Sequence, residues 1–157
     1  MATTPAPGHP IRSCVLITNP QGHALVVTPA KQDAPWMLPG GLVAQGESPL
    51  DAARREVREE LNLDLGERIR ELAAVEWVAA THPGRRDRLV FVFAGPQLRP
   101  VEEENIILQH DEIAFWRWTP VGDLIFQYPR IAARIVPWLH QPSTTSYRET
   151  RKPEGTS

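Results

Sequence analysis

The stretch from Gly40 to Leu63, GGLVAQGESPLDAARREVREELNL, constrains this chain more than any other. Its second half reads as a helix. Ser48 suits the N-cap, Pro49 the first helical position, and Asp51 places an acid in the first turn, where the helix dipole favours one. Asn62 stands where the helix should stop, and Asn is the usual substitute for Gly in a left-handed cap. At about 100° per residue, Leu50, Ala53, Val57 and Leu61 form one apolar stripe. Glu56, Glu59 and Glu60 fall beside it within a sector of roughly 100°. Three carboxylates held so close repel one another unless something positive lies among them.

A solvated acidic face is the simpler explanation, since Arg55 and Glu59 form an (i, i+4) pair and Arg54 and Arg58 lie nearby. The preceding loop weighs against it. Gly40 and Gly41, then Gly46-Glu47, let the backbone turn tightly and approach a ligand closely. A main-chain carbonyl freed there, beside clustered carboxylates, makes an all-oxygen pocket. Such a pocket suits a hard divalent ion, Mg²⁺ or Mn²⁺, and not zinc.

The spacing Gly41, five residues, Glu47, seven residues, Arg55-Glu56-Val57, one residue, Glu59-Glu60, one residue, Asn62-Leu63 resembles the Nudix box, G-x5-E-x7-R-E-U-x-E-E-x-G-U with U aliphatic. Only the last glycine differs, being Asn62. Trp36-Met37-Leu38-Pro39-Gly40 is similar to the segment that leads into the box. The resemblance implies an α/β fold, an α/β/α sandwich around a mixed sheet, and Mg²⁺-dependent cleavage of a pyrophosphate bond. It implies that Glu56, Glu59 and Glu60 ligate the metal with the Gly40 carbonyl, that Glu47 helps as an outer ligand, and that Arg55 positions the glutamates. A late-loop carboxylate acting as base or extra ligand falls on Glu112, six residues before Trp118. The alternative, the run Glu102-Glu103-Glu104, reads better as a solvated loop.

A chain of 157 residues with 41% apolar and 23% charged residues suits one globular domain. Its net charge of −2 argues against nucleic acid or an acidic membrane as partner. Cys14 stands alone in an apolar run, which predicts a buried small hydrophobe and fits a reducing cytoplasm. No signal peptide or membrane-spanning run is legible. Residues 1–10 read as a flexible lead-in, 11–140 as the domain and 141–157 as a disordered, proline-punctuated tail.

Within the domain, 12–18 and 24–28 read as strands joined by the turn Asn19-Pro-Gln-Gly22. An extended piece at 36–38 and a brief strand at 42–43 flank the glycine loop. Residues 69–80 predict a strand bulged near Ala73-Ala74, 88–94 a buried strand, and 113–118 another that ends at Thr119-Pro120 and leads into a short turn or helix through Leu124. Residues 98–111 show no clear period. Ile131, Ile135 and Leu139 predict a helix over 130–139 that Pro137 should kink or shorten.

Substrate contacts are less sharply marked. Arg85 and Arg86, in the loop His82–Arg88, could offer cations to a phosphate, although a solvated basic turn explains them as well. Trp36 could stack on a base, although aromatic residues in strands more often belong to the core. The tract from Val75 to Gly95 resembles ADP-ribose-pyrophosphatase-like members of the family. The substrate class this implies is a nucleoside diphosphate linked to another group, such as ADP-ribose or a nucleotide sugar. Alternatives are a nucleoside triphosphate and a nucleotide-sensing domain that hydrolyses nothing, although intact Arg55, Glu56, Glu59 and Glu60 speak against the latter. Many relatives pair, so a homodimer is compatible.

Overall fold

The computed structural model describes residues 8–152. The element order is β1 (Ile11–Thr18), β2 (Ala24–Pro29), β3 (Gly40–Leu42), α1 (Pro49–Leu61), β4 (Glu71–Val78), β5 (Arg88–Gln97), α2 (Pro100–Glu103), β6 (Ile113–Thr119), α3 (Val121–Gln127), α4 (Pro129–His140) and β7 (Ser146–Thr150). The strands form one mixed sheet in the order β6-β2-β1-β5-β4-β7, with β3 added on β1. β1 runs parallel to β5 and β7 parallel to β4, while the other pairings are antiparallel.

The alternation of side chains along a strand splits the core into two layers. Val15 and Ile17 of β1 pack with Val57 and Leu61 of α1 on one face. Cys14 and Leu16 pack with Leu124, Ile131 and Ile135 of α3 and α4 on the other. The result is the α/β/α sandwich that the resemblance implied. Cys14 is buried in the second layer, and burial raises its thiol pKa.

β1 and β2 touch only next to their turn, where Thr18 pairs with Ala24, and then diverge. The segment before the glycine loop fills the gap. Met37 exchanges both backbone hydrogen bonds with Val27, and the Pro39 carbonyl accepts from the Val15 amide at 2.9 Å. Gly40 to Leu42 then pair with Cys14 to Arg12 as β3, slightly earlier than the strand expected at 42–43. This wedge leaves no room for a side chain at Gly40, whose Cβ would lie 2.2 Å from the Ser13 carbonyl oxygen.

Two expectations are corrected. The tail 141–157 is not uniformly disordered, because Ser146–Thr150 adds a parallel edge strand on β4. Its composition is polar because an edge strand buries little, and its order comes from partners: Thr145 donates to the Leu72 carbonyl and Thr150 to Glu76. Residues 153–157 and 1–7 lie outside the described residues, while Gly8 accepts from Arg86 and His9 bonds the Asp87 carbonyl. Pro137 does not shorten α4, which continues to His140. The missing amide leaves the Ala133 carbonyl without its helical donor, yet the turn beyond it persists. The bulge in β4 falls between Leu72 and Ala74.

Candidate active site

The glutamate helix is fastened at both ends. At its start the Ser48 hydroxyl accepts from the Asp51 amide at 3.1 Å, a cap worth about 1 kcal/mol. Ser13 of β1 donates to the Pro49 carbonyl at 2.6 Å. At its end Asn62 takes the left-handed conformation, φ 59°, and its amide donates to the Arg58 carbonyl. The next free carbonyls, of Glu60 and Leu61, accept from the amides of Gln109 and Ile107. That pairing brings the loop carrying Glu112 onto the helix. Midway, Arg54 donates twice to the Ile69 carbonyl.

Arg55 organises the acids. Its guanidinium donates to both oxygens of Glu47 at 2.7 and 3.0 Å, to Glu56 at 2.8 Å, to Glu59 at 3.0 Å and to the Leu42 carbonyl at 3.2 Å. Glu47 also accepts from the Ala44 amide. The Arg55 bonds, with that amide, hold the Glu47 carboxyl down at about 2. Arg55 itself is raised above its ordinary value, chiefly by Glu47. Glu56 packs against bare backbone at Gly41, where a Cβ would fall 2.3 Å from its carboxylate oxygen.

Glu60 is different. It is 5% exposed, its carboxylate takes a hydrogen bond from the Gly40 amide at 3.1 Å, and among the described residues no cation lies within salt-bridge distance of it. Burial pushes its pKa up to about 8, against the Gly40 amide and Arg12, while the charges of Glu56 and Glu112 push the same way. Burial also raises Glu56, which feels Glu59 and Glu112 in turn. Glu112 is exposed on its loop, yet its charge reaches both buried glutamates. The structure therefore gathers Glu56, Glu59, Glu60, Glu112 and Gly40 at one end of the wedge. Glu102 lies elsewhere, paired with Arg68 and Arg99.

Among the described residues no three acidic, histidine or cysteine side chains form a ready ligand set. Arg55 bridges Glu56 and Glu59 in their place. The donors nevertheless fit a hard divalent ion, because all are oxygens and Glu60 is a buried carboxylate short of positive charge. Glu56, Glu59, Glu60 and the Gly40 carbonyl would hold it.

Arg12 escaped the sequence reading. It donates to the Gly40 carbonyl at 3.2 Å and to the Met37 sulfur at 3.0 Å. Its one signal was a charge at the head of an otherwise apolar strand. The residues expected to contact substrate were Trp36, Arg85 and Arg86. Trp36 is half-buried at the edge of the core, with the Arg117 guanidinium 4.3 Å over its ring. Arg85 and Arg86 sit on the exposed β4–β5 loop, where Arg86 is engaged with the Gly8 carbonyl.

A capped glutamate helix and a glycine wedge on an α/β/α sandwich are the features that the Nudix resemblance implied. Residues 8–139 match the family model of the NUDIX domain, and the chain belongs to the Nudix family. It is a Nudix pyrophosphohydrolase, acting on phosphoanhydride bonds. It is 29% identical over 133 residues to an RNA pyrophosphohydrolase of Roseobacter denitrificans, covering 74% of this chain and 81% of that protein. It is 33% identical over 127 residues to an RNA pyrophosphohydrolase of Ruthia magnifica, covering 71% and 70%. Among solved structures, the MutT protein of Methanosarcina mazei superposes with a TM-score of 0.68 at 19% identity, over 87% of this chain and 96% of that one. No helix among the described residues is long and apolar enough to cross a membrane.

Proposed function

We propose that this chain hydrolyses a phosphoanhydride bond of a nucleotide polyphosphate, with Mg²⁺ or Mn²⁺ held by Glu56, Glu59, Glu60 and the Gly40 carbonyl. The observation that carries the reading is Glu60, buried beside Glu56 without a cation of its own. When bound, the ion supplies charge neutralisation at phosphoryl oxygens and makes water more acidic. The protein's share is positional. Arg55 holds Glu47, Glu56 and Glu59 together, Gly41 lets Glu56 lie against the backbone, and Glu112 would be the group that accepts a proton from attacking water.

The similarity to RNA pyrophosphohydrolases favours a polyphosphate at the end of an RNA chain, and with it a nucleic-acid partner that the net charge of −2 argued against. The linked-diphosphate class, ADP-ribose or a nucleotide sugar, rests on the likeness of the tract from Val75 to Gly95. A panel of 5′-triphosphorylated RNA, nucleoside triphosphates, ADP-ribose and UDP-glucose, assayed with Mg²⁺ and with EDTA, tests these together. The expected result is release of phosphate or pyrophosphate from triphosphorylated RNA that EDTA abolishes. Binding without turnover in every arm would mark a nucleotide-sensing domain instead.

A further inference from the structure

The face of the sheet turned toward α4 carries a second charged cluster, of the opposite sign. Arg12 of β1 pairs in register with Val90 of β5, Val90 with Glu76 of β4, and Glu76 with Arg148 of β7. Partners in register project to one side, and Val90 lies in the core layer under α4. Arg88, two residues before Val90, projects to that same face. From above, α4 adds Arg134, which donates to Glu76, and Arg130 one turn earlier. Four guanidiniums therefore converge where the first turn of α4 lies over the starts of β1 and β5.

Their acids are too few. Glu76 is 1% exposed and already shared by Arg134, Arg148 and the Thr150 hydroxyl. Among the described residues, Arg12, Arg88 and Arg130 have no carboxylate within salt-bridge distance. Partial desolvation, then the charges of Arg134, Arg130 and Arg12, pushes the Arg88 pKa down, as expected of like charges facing one another. The first turn of α4 holds no acid and instead carries Arg130, so the helix dipole adds to the excess. Arg88 and Arg130 are exposed, and Arg12 reaches the Gly40 carbonyl, so the cluster begins where the glutamate site ends.

Resting on the hydrolytic reading above, we propose that Arg12, Arg88 and Arg130 form an anion subsite that takes a further phosphate of the substrate, next to the bond that is cut. Planar guanidiniums suit phosphate oxygens, and their mutual repulsion is relieved only when an anion enters. The subsite favours substrates with three or more phosphates in a row over diphosphates whose second group is a neutral sugar.

The test titrates inorganic tripolyphosphate into the full chain by calorimetry in EDTA, so that binding is read without hydrolysis. In an Arg88→Ala/Arg130→Ala variant the affinity should fall at least tenfold. An Arg68→Ala/Arg99→Ala variant removes the same charge at the other end of β5 and should bind within twofold of the parent. In steady state with Mg²⁺, the first variant should raise KM at least tenfold for triphosphorylated RNA and less than twofold for ADP-ribose. Equal affinity in parent and variant, or an equal loss in the control pair, would overturn the subsite. If no substrate turned over, the hydrolytic reading would fall while the titration would still decide this one.

Discussion

One face of the sheet gathers carboxylates and the other gathers guanidiniums, and they are built in opposite ways. On the α1 side, Glu47, Arg55, Glu56, Glu59 and Glu60 come from one loop and one helix, so their order in the chain is their order in space. On the α4 side, Arg12, Arg88, Arg130 and Arg134 come from two strands and a distant helix, and only the sheet register brings them together. The acidic side is fully cross-linked through Arg55, with Glu60 left over. The basic side is fully cross-linked through Glu76, with three arginines left over. Each side thus lacks the charge that a metal-bound polyphosphate would bring. The split between β1 and β2 is where the two meet, because Gly40 donates its amide to Glu60 and offers its carbonyl to Arg12.

The largest test removes the odd acid. Glu60→Gln should lower kcat by about a thousandfold, as expected when a metal site worth several kcal/mol is lost. The same variant has a stability signature. The folded carboxyl titrates at about 8 against an ordinary 4.5, so over that window the folded state keeps a proton that the unfolded state has lost. Stability of the metal-free protein should therefore fall as pH rises from about 4.5 to about 8. Thermal melts should show that slope in the parent, and neither in Glu60→Gln nor with saturating Mg²⁺. A slope that survives the substitution would assign the titration to another group.

The second test breaks the basic side at its hub. Glu76→Ala leaves Arg134 buried without its partner and should cost about 3 to 5 kcal/mol in urea unfolding. Glu76 is held below the ordinary carboxylate range. Burial opposes this, but the Thr150 hydroxyl and the guanidiniums of Arg134 and Arg148 outweigh it. Its contribution is therefore present at neutral pH and lost as pH falls through that lowered value, opposite in sense to Glu60. A loss under 1 kcal/mol would mean that the row across the sheet is not coupled.

The smallest expected change concerns Glu112. Glu112→Gln should depress turnover roughly a hundredfold, the low end for a general base, while Mg²⁺ binding measured by calorimetry persists. Near-normal turnover would remove Glu112 from the chemistry and leave the acidic side complete within its own helix and loop.

The same contrast explains what could be read from the sequence. Helix α1 was legible to the residue at its caps, because Ser48 accepts from an amide three positions on and Asn62 donates its own amide to a carbonyl four positions back. Strand β5 and the bulge in β4 were legible from apolar pattern alone. Strand β7 was not, because Ser146–Thr150 has no apolar alternation and owes its place to Leu72 and Glu76, more than 70 residues earlier. α2 was not, since its four residues carry no period and are held by Arg68 through Glu102. The helix over 130–139 was legible from Ile131, Ile135 and Leu139, and only the shortening expected at Pro137 did not occur. For the site, spacing identified the acids but gave no hint of Arg12, whose role depends on a wedge inserted between two strands.

The last strand also has a consequence for synthesis. Glu76 leaves the ribosome long before Arg148 and Thr150, so a nascent chain must carry that carboxylate half-sheltered until the final stretch emerges. Folding can nucleate on the β4–β5 pairing, whose strands are neighbours in the chain, yet the β4 edge stays open until β7 has emerged. Removing Ser146–Thr150 would strip Glu76 of two of its partners and should lower stability more than the polar composition of that strand suggests.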